Sequence, residues 1–300
     1  LNNKLNLENY KSVLNDTNNL EIIDYSNLLK CKGIIDRQNV LNDKINDACD
    51  ATILDLMIVA QDPNDKDHYF VTSYGSGMLE MYGEDVIKLY TPSNSALVSA
   101  APNAPNRYTR TDGAMFDDKG YLWVLNTEVE NNILIMDAQG NKLATYSLYS
   151  NSVRVPLYTP GEIIVDRRNP QWKWIPLCRY NTGLVLLQDN GTPLNPKDDK
   201  VTYHNEWYDQ DGKPILPEFI YSLAQDHDNT MWVGTNKGLF LIPSTVDFTT
   251  SNQCERVIIS RNDGTQLGDY SLDNEQINHI VVDGGNRRWI ATASSGVFLL

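Results

Sequence analysis

Basic side chains are scarce in this chain: 25 lysines and arginines stand against 39 aspartates and glutamates, for a formal net charge of −14 over 300 residues. Binding to phosphate backbones needs a concentrated excess of Lys and Arg, so a nucleic-acid surface is excluded. Only single pairs remain, such as Arg167-Arg168 and Arg287-Arg288. An apolar run of the roughly 18 residues that a membrane helix needs is also missing. The nearest stretch, Ile53 to Ala60, is short and carries Asp55. The four cysteines, Cys31, Cys49, Cys178 and Cys254, show no C-x-x-C spacing, which excludes a zinc ribbon and a dense disulfide framework. A Cys31–Cys49 bridge is compatible with an oxidising compartment, but unpaired thiols fit the composition better. The four histidines (His68, His204, His227, His279) stand singly, and single histidines are expected to be structural rather than catalytic or metal-binding. No Gly-x-Ser-x-Gly elbow is present, which removes the best-marked hydrolase reading. The chain opens with neither an initiator Met nor a signal peptide and stops inside an apolar run at Leu299-Leu300. Both ends therefore read as cut, and the chain as a piece of a longer protein.

What the sequence does contain is a repeat. The clearest copy is Ile220-Tyr-Ser-Leu-Ala-Gln-Asp226-His-Asp-Asn-Thr-Met-Trp232-Val-Gly-Thr-Asn-Lys-Gly238-Leu-Phe-Leu-Ile242. The next is Ile277-Asn-His-Ile-Val-Val-Asp283-Gly-Gly-Asn-Arg-Arg-Trp289-Ile-Ala-Thr-Ala-Ser-Ser-Gly296-Val-Phe-Leu-Leu300. Earlier copies centre on Asp118-Lys-Gly120-Tyr-Leu-Trp123, on Asp166 to Trp174, and, more divergently, on Asp62 to Gly77 with Phe70 as its aromatic. The marker aromatics at 70, 123, 174, 232 and 289 are separated by 53, 51, 58 and 57 residues. That period lies close to the ~50 residues of kelch-type propeller blades.

Each copy reads as a hairpin. Its Ile/Val/Leu-rich opening suits a strand buried on both faces. The Asp hydrogen-bonds its own downstream backbone, and the following Gly, Asn or Pro supplies the turn. Trp-Val-Gly-Thr and Trp-Ile-Ala-Thr alternate large with small residues, as a wedge packed between blades requires. The remaining ~25–30 residues of a period fit two outer strands; Ile133 to Leu148, with Gly140-Asn141 at its turn, is one such hairpin. No repeat carries a helical apolar stripe. The expected fold is all-β: a β-propeller of four-stranded blades, with about five recognisable blades spanning residues 46–300 and inner hairpins starting near residues 53, 112, 161, 218 and 276. Residues 1–45 lack the Asp-turn-Trp phrase and are expected to supply the outer strands of a partial blade.

These phrases resemble the two-component regulator propeller repeat, whose hallmark is an Asp-turn-aromatic run ending in Trp-(Val/Ile)-Gly-Thr-x-x-Gly-Leu; Trp232-Val-Gly-Thr-Asn-Lys-Gly-Leu239 matches it throughout. The order of variants is similar to the PorZ-type propeller proteins associated with type IX secretion in Bacteroidetes. The segments that carry this likeness are Ser73-Tyr-Gly-Ser-Gly-Met-Leu-Glu-Met81, Leu89-Tyr-Thr-Pro-Ser-Asn-Ser95 and Asp283 to Leu300. Ala291 departs from the usual Gly. The resemblance implies a non-enzymatic protein of the periplasm or cell surface, and no cofactor.

The chemistry in the turns agrees with a binding role. The Asp118 turn resembles the Asp-box of sialidases, but that turn is structural, and no arginine triad with a Tyr nucleophile and acid/base carboxylate can be assembled here. The carboxylates at Asp62, Asp65 and Asp67, and at Asp226 and Asp228, match no EF-hand loop, so no metal site is expected. The turns between strands two and three of each blade share one face of a propeller, around its channel mouth. They hold Tyr74, Glu128 (with Glu130), Arg179, Tyr180 and Lys237, and aromatics with Arg suit sugar rings or an anionic ligand. These five are the candidate ligand-binding residues. The expected partner is a glycan, a glycolipid or a surface protein. The alternative role is the extracellular segment of a hybrid two-component receptor that recognises a carbohydrate.

Overall fold

The computed structural model describes residues 53, 55–150, 153–155, 157–261, 263–265 and 267–300. The partial blade expected from residues 1–45, and any pairing of Cys31 with Cys49, lie outside the described residues. Within them the chain is a β-propeller.

Blade one comprises Leu56–Asp62, Asp65–Ser73, Gly77–Tyr82 and Asp85–Tyr90, paired antiparallel in sequence order. Blade two comprises Thr111–Phe116, Leu122–Asn126, Ile133–Met136 and Lys142–Tyr146. Blade three comprises Ile164–Val165, Trp172–Leu177, Gly183–Gln188 and Lys200–His204. Blade four has three strands, Ile220–Gln225, Met231–Thr235 and Gly238–Ile242, with an antiparallel bridge from Leu241 to Glu255 along its outer edge. Blade five likewise has three, Ile277–Val282, Arg288–Thr292 and Val297–Leu299. All five inner strands begin within about three residues of the positions expected from the repeat.

A single aspartate organises each inner hairpin. Asp226 Oδ1 accepts the backbone N–H of Asp228 and of Thr230, each at 2.9 Å, while its Oδ2 accepts Trp232 Nε1–H at 2.8 Å. The same carboxylate thus closes the turn and pins the aromatic of the next strand, which satisfies a buried indole donor. Asp166 holds Trp174 at 3.0 Å and Asp283 holds Trp289 at 2.9 Å. In blade two the organiser is Asp117, which bonds Lys119, Tyr121 and Trp123. The sequence phrase placed there at Asp118 is displaced by one, because the six-residue step from Asp to Trp selects the first of the two aspartates. Blade one keeps Phe70 where the others have Trp: Ala60 pairs with Phe70 just as Ala224 pairs with Trp232. The phenylalanine side chain has no N–H, and His68 Nδ1 takes over the contact to Asp62 Oδ2 at 3.2 Å.

Alternation along the strands then builds the core between blades. Leu122 and Val124 join Phe70, Met78 and Tyr90 of blade one. Trp123 and Leu125, the intervening residues, join Ile175, Val185 and Leu187 of blade three. Trp174, Leu184 and Leu186 pack on Val233, Phe240 and Ile242 of blade four, and Trp232 and Leu239 pack on Ile277, Ile280 and Ile290 of blade five. A strand buried on both faces is why these segments read as continuous apolar runs. A Cβ on Gly234 would lie 2.6 Å from Ile277 Cγ2, so the small residue in Trp-Val-Gly-Thr is required where the next blade approaches. Ala291, at the matching position of blade five, is only half-buried.

Candidate functional site

The inner strands surround an axial cavity of about 760 Å³, within the 300–1,000 Å³ range typical of small-ligand sites. Every blade contributes: Leu56 and Ile58 from blade one, Asp112 from blade two, Cys178 from blade three, Tyr221 and Leu223 from blade four, and His279 from blade five. Two glycines allow the walls to close up. A Cβ on Gly113 would lie 2.5 Å from Gly161 O, and one on Gly161 would lie 2.9 Å from Pro176 Cγ.

The rim is aromatic and basic. Tyr74 donates its hydroxyl to Glu128 Oε1 at 3.3 Å, and Glu128 also forms an ion pair with Arg110. The Arg110 guanidinium lies 4.7 Å from the centre of the Tyr74 ring and 5.2 Å from that of Tyr108. Arg179 stands 5.5 Å over the ring of Tyr180, hydrogen-bonds with Tyr74 and acts electrostatically on the Asp112 carboxyl. Tyr180 is 66% exposed and meets Tyr158 edge to face at 6.4 Å. On the neighbouring segment of blade four, whose Ile220 N–H donates to Cys178 O at 3.0 Å, Phe219 and Tyr221 stack at 5.8 Å with their planes 13° apart. Glu128 and Tyr180 take positive φ, 59° and 55°, as does the cavity-lining Thr159 at 45°. A β-branched residue there is strained, and such strain gathers at functional sites.

Of the five residues singled out from the sequence, Tyr74, Glu128, Arg179 and Tyr180 come together at this mouth. Lys237 does not. It pairs with Glu218 at 3.3 Å and lines a separate hollow of about 300 Å³ with Pro214, Leu216 and Arg256. Sequence reasoning missed Asp112, Phe219 and Tyr221. Asp112 did leave a signal: it is a carboxylate set in the Thr111–Phe116 inner strand beside Gly113. It is 2% exposed. Its Oδ2 accepts the Thr127 hydroxyl at 2.6 Å, whereas Oδ1 has no hydrogen-bond partner among the described residues. Burial pushes its carboxyl up to about 7, against the lowering by Thr127 and Arg110. Burial likewise raises the Cys178 thiol to about 12, which makes it a poor nucleophile. Among the described residues no cluster of His, Cys, Asp and Glu suits a metal ion. No helix among them is long and apolar enough to cross a membrane.

No curated protein matches the chain in sequence. Residues 214–237 match the family described as two component regulator propeller. Among solved structures, PorZ, a surface component of the type-IX secretion system of Porphyromonas gingivalis, is 27% identical with a TM-score of 0.70, over 81% of this chain and 32% of PorZ. The chain thus spans about a third of PorZ's length. The extracellular domain of a hybrid two component system, BT3049 of B. thetaiotaomicron, is 14% identical (TM-score 0.49, 82% of this chain, 27% of that one). Virginiamycin B lyase of Staphylococcus aureus is also 14% identical (TM-score 0.49, 84% of this chain, 70% of that one). The repeat, its organising aspartates and the likeness to PorZ agree: the chain is a β-propeller, and its residues 214–237 are similar to the two component regulator propeller repeat.

Proposed function

We propose that this propeller is a non-enzymatic binding module of a periplasmic or cell-surface protein, PorZ-like in role, and that it binds a glycan or glycolipid at the mouth of its axial cavity. The rim carries the reading: Tyr74, Arg179, Tyr180, Phe219 and Tyr221 surround one opening, and flat rings with guanidinium groups are what sugar rings and their acidic substituents pack against. The resting chemistry favours binding over catalysis, because the cavity's thiol is held protonated and Glu128 is engaged by Arg110. The match of residues 214–237 to a regulator repeat supports a second reading, in which the same opening is the ligand port of an extracellular sensor.

Arg179→Ala combined with Tyr180→Ala should abolish binding on an array of immobilised oligosaccharides. The melting temperature should stay nearly unchanged, since exposed turn residues contribute little to stability. Undiminished binding by the double variant would place the site elsewhere.

A further inference from the structure

Arg179 joins the inside of the cavity to its mouth. The residue is exposed and lies over the Tyr180 ring, yet its guanidinium also acts on the Asp112 carboxyl, which is closed off from solvent. The other groups around that carboxyl are fixed by the fold. Thr127 donates to its Oδ2 at 2.6 Å, and Arg110 favours its charged form but is itself paired with Glu128, which disfavours it. Burial outweighs them all and brings the carboxyl to about 7. Tyr74 and Cys178 also feel its charge, and Asp55, Glu162 and His279 line the same cavity.

A ligand that sets a carboxylate or sulfate on Arg179 changes this balance in one direction. It adds a second rim anion to Glu128, and it takes up part of the positive charge that favours an ionised Asp112. A buried carboxylate that loses its compensation is neutralised by a proton rather than left charged. We propose that the axial cavity binds an acidic glycan together with a proton: the ligand's carboxylate or sulfate pairs with Arg179 while Asp112 takes a proton from water, which returns to water on release. This rests on the reading of the cavity mouth as a glycan site and adds to it the ligand's charge and a control by pH. Affinity is higher below neutral pH and lower above it, and neutral sugars bind without the proton.

The test uses the full chain on an array of immobilised neutral, uronate-bearing and sulfated oligosaccharides, read at pH 6 and pH 8. Uronate and sulfate groups keep their charge across that range. Acidic members should bind about two- to fivefold more weakly at pH 8, as expected when the complex holds the Asp112 proton about three- to tenfold more tightly than the free protein. Neutral members should bind alike at both. Asp112→Asn keeps an oxygen for the Thr127 hydroxyl and cannot titrate, so its acidic members should bind equally at the two pH values. A dependence that survives in this variant belongs to another group, His279 foremost, and overturns the proposal. Should Asp112→Asn fail to fold, calorimetry on the strongest acidic binder at pH 7, in two buffers of different ionisation enthalpy, counts the protons taken up by the wild type and by His279→Gln. An equal uptake in the two supports Asp112; no uptake, or uptake lost in His279→Gln, overturns it. Acidic members that bind without pH dependence, or binding confined to neutral members, overturn this inference and leave the glycan reading standing. Absence of any binder at either pH sinks the glycan reading, and this inference with it.

Discussion

Blades four and five carry the same six-residue step from Asp to Trp, the same turn hydrogen bonds and the same Asp–indole contact, at 2.8 Å in Asp226–Trp232 and 2.9 Å in Asp283–Trp289. Yet Trp232 is 6% exposed and Trp289 is 41% exposed. The difference comes from the neighbour rather than the hairpin. Blade five lays Ile277, Ile280 and Ile290 against Trp232 and Leu239. Arg288 adds a guanidinium 4.9 Å over the Trp232 ring and an ion pair with Asp226. On blade five itself Val297, Phe298 and Leu299 remain exposed beside Trp289. The Asp–Trp clasp is therefore local and makes the hairpin, whereas the stabilisation from the indole depends on what packs upon it.

Substituting the two tryptophans measures that division. Trp232→Ala should cost roughly 3–5 kcal/mol in chemical denaturation, as a large-to-small change in a packed core. A cost under ~1 kcal/mol would mean that the interblade contact does not hold in solution.

Blade one sharpens the comparison through pH. Its clasp runs through His68, which bonds Asp62 at 3.2 Å and Glu80 at 3.0 Å; the charged donors at the Trp clasps are arginines, which stay protonated at every pH considered. Burial disfavours the charged imidazole, but the two carboxylates outweigh it, and the His68 pKa is raised above 6.5. The folded state then holds the proton more tightly than the unfolded state. The stabilisation is complete below 6.5 and is lost as pH rises through the folded value. The stability advantage of wild type over His68→Gln should shrink between pH 6 and pH 8. Asp112 and Asp199, both raised to about 7, also favour the folded state less as pH rises, but they do so equally in both proteins and cancel in the difference. A constant gap across that range would show that His68 is neutral in the clasp.

A smaller loss than at Trp232→Ala, about 1–2 kcal/mol, is expected at Trp289→Ala, because 41% of Trp289 stays in water on folding. Differential scanning calorimetry beside Trp232→Ala would check it. Equal losses at the two positions would mean that a further surface covers Trp289.

The sequence by itself determined the blade. The apolar alternation and the Asp-turn-aromatic phrase act over fewer than twenty residues and recur at each period, so strand, turn and clasp could all be read before any neighbour was known. Local patterning also placed Tyr74, Glu128, Arg179 and Tyr180 on equivalent turns, and equivalent turns share a face. The choice of Asp117 over Asp118 was legible in principle, since the six-residue step to Trp123 recurs in blades four and five. Only the tertiary structure decided which partners these elements meet. Lys237 sits on an equivalent turn but is drawn to Glu218, because an ion pair is settled by the loop opposite and not by the turn's own phrase. Phe219 and Tyr221 look like ordinary strand residues until four other blades converge on them. Asp112 is the sharpest case: strand alternation gives it a face, but burial of its carboxyl needs Gly113 and Gly161 to draw two walls together, and that approach joins residues far apart in the chain.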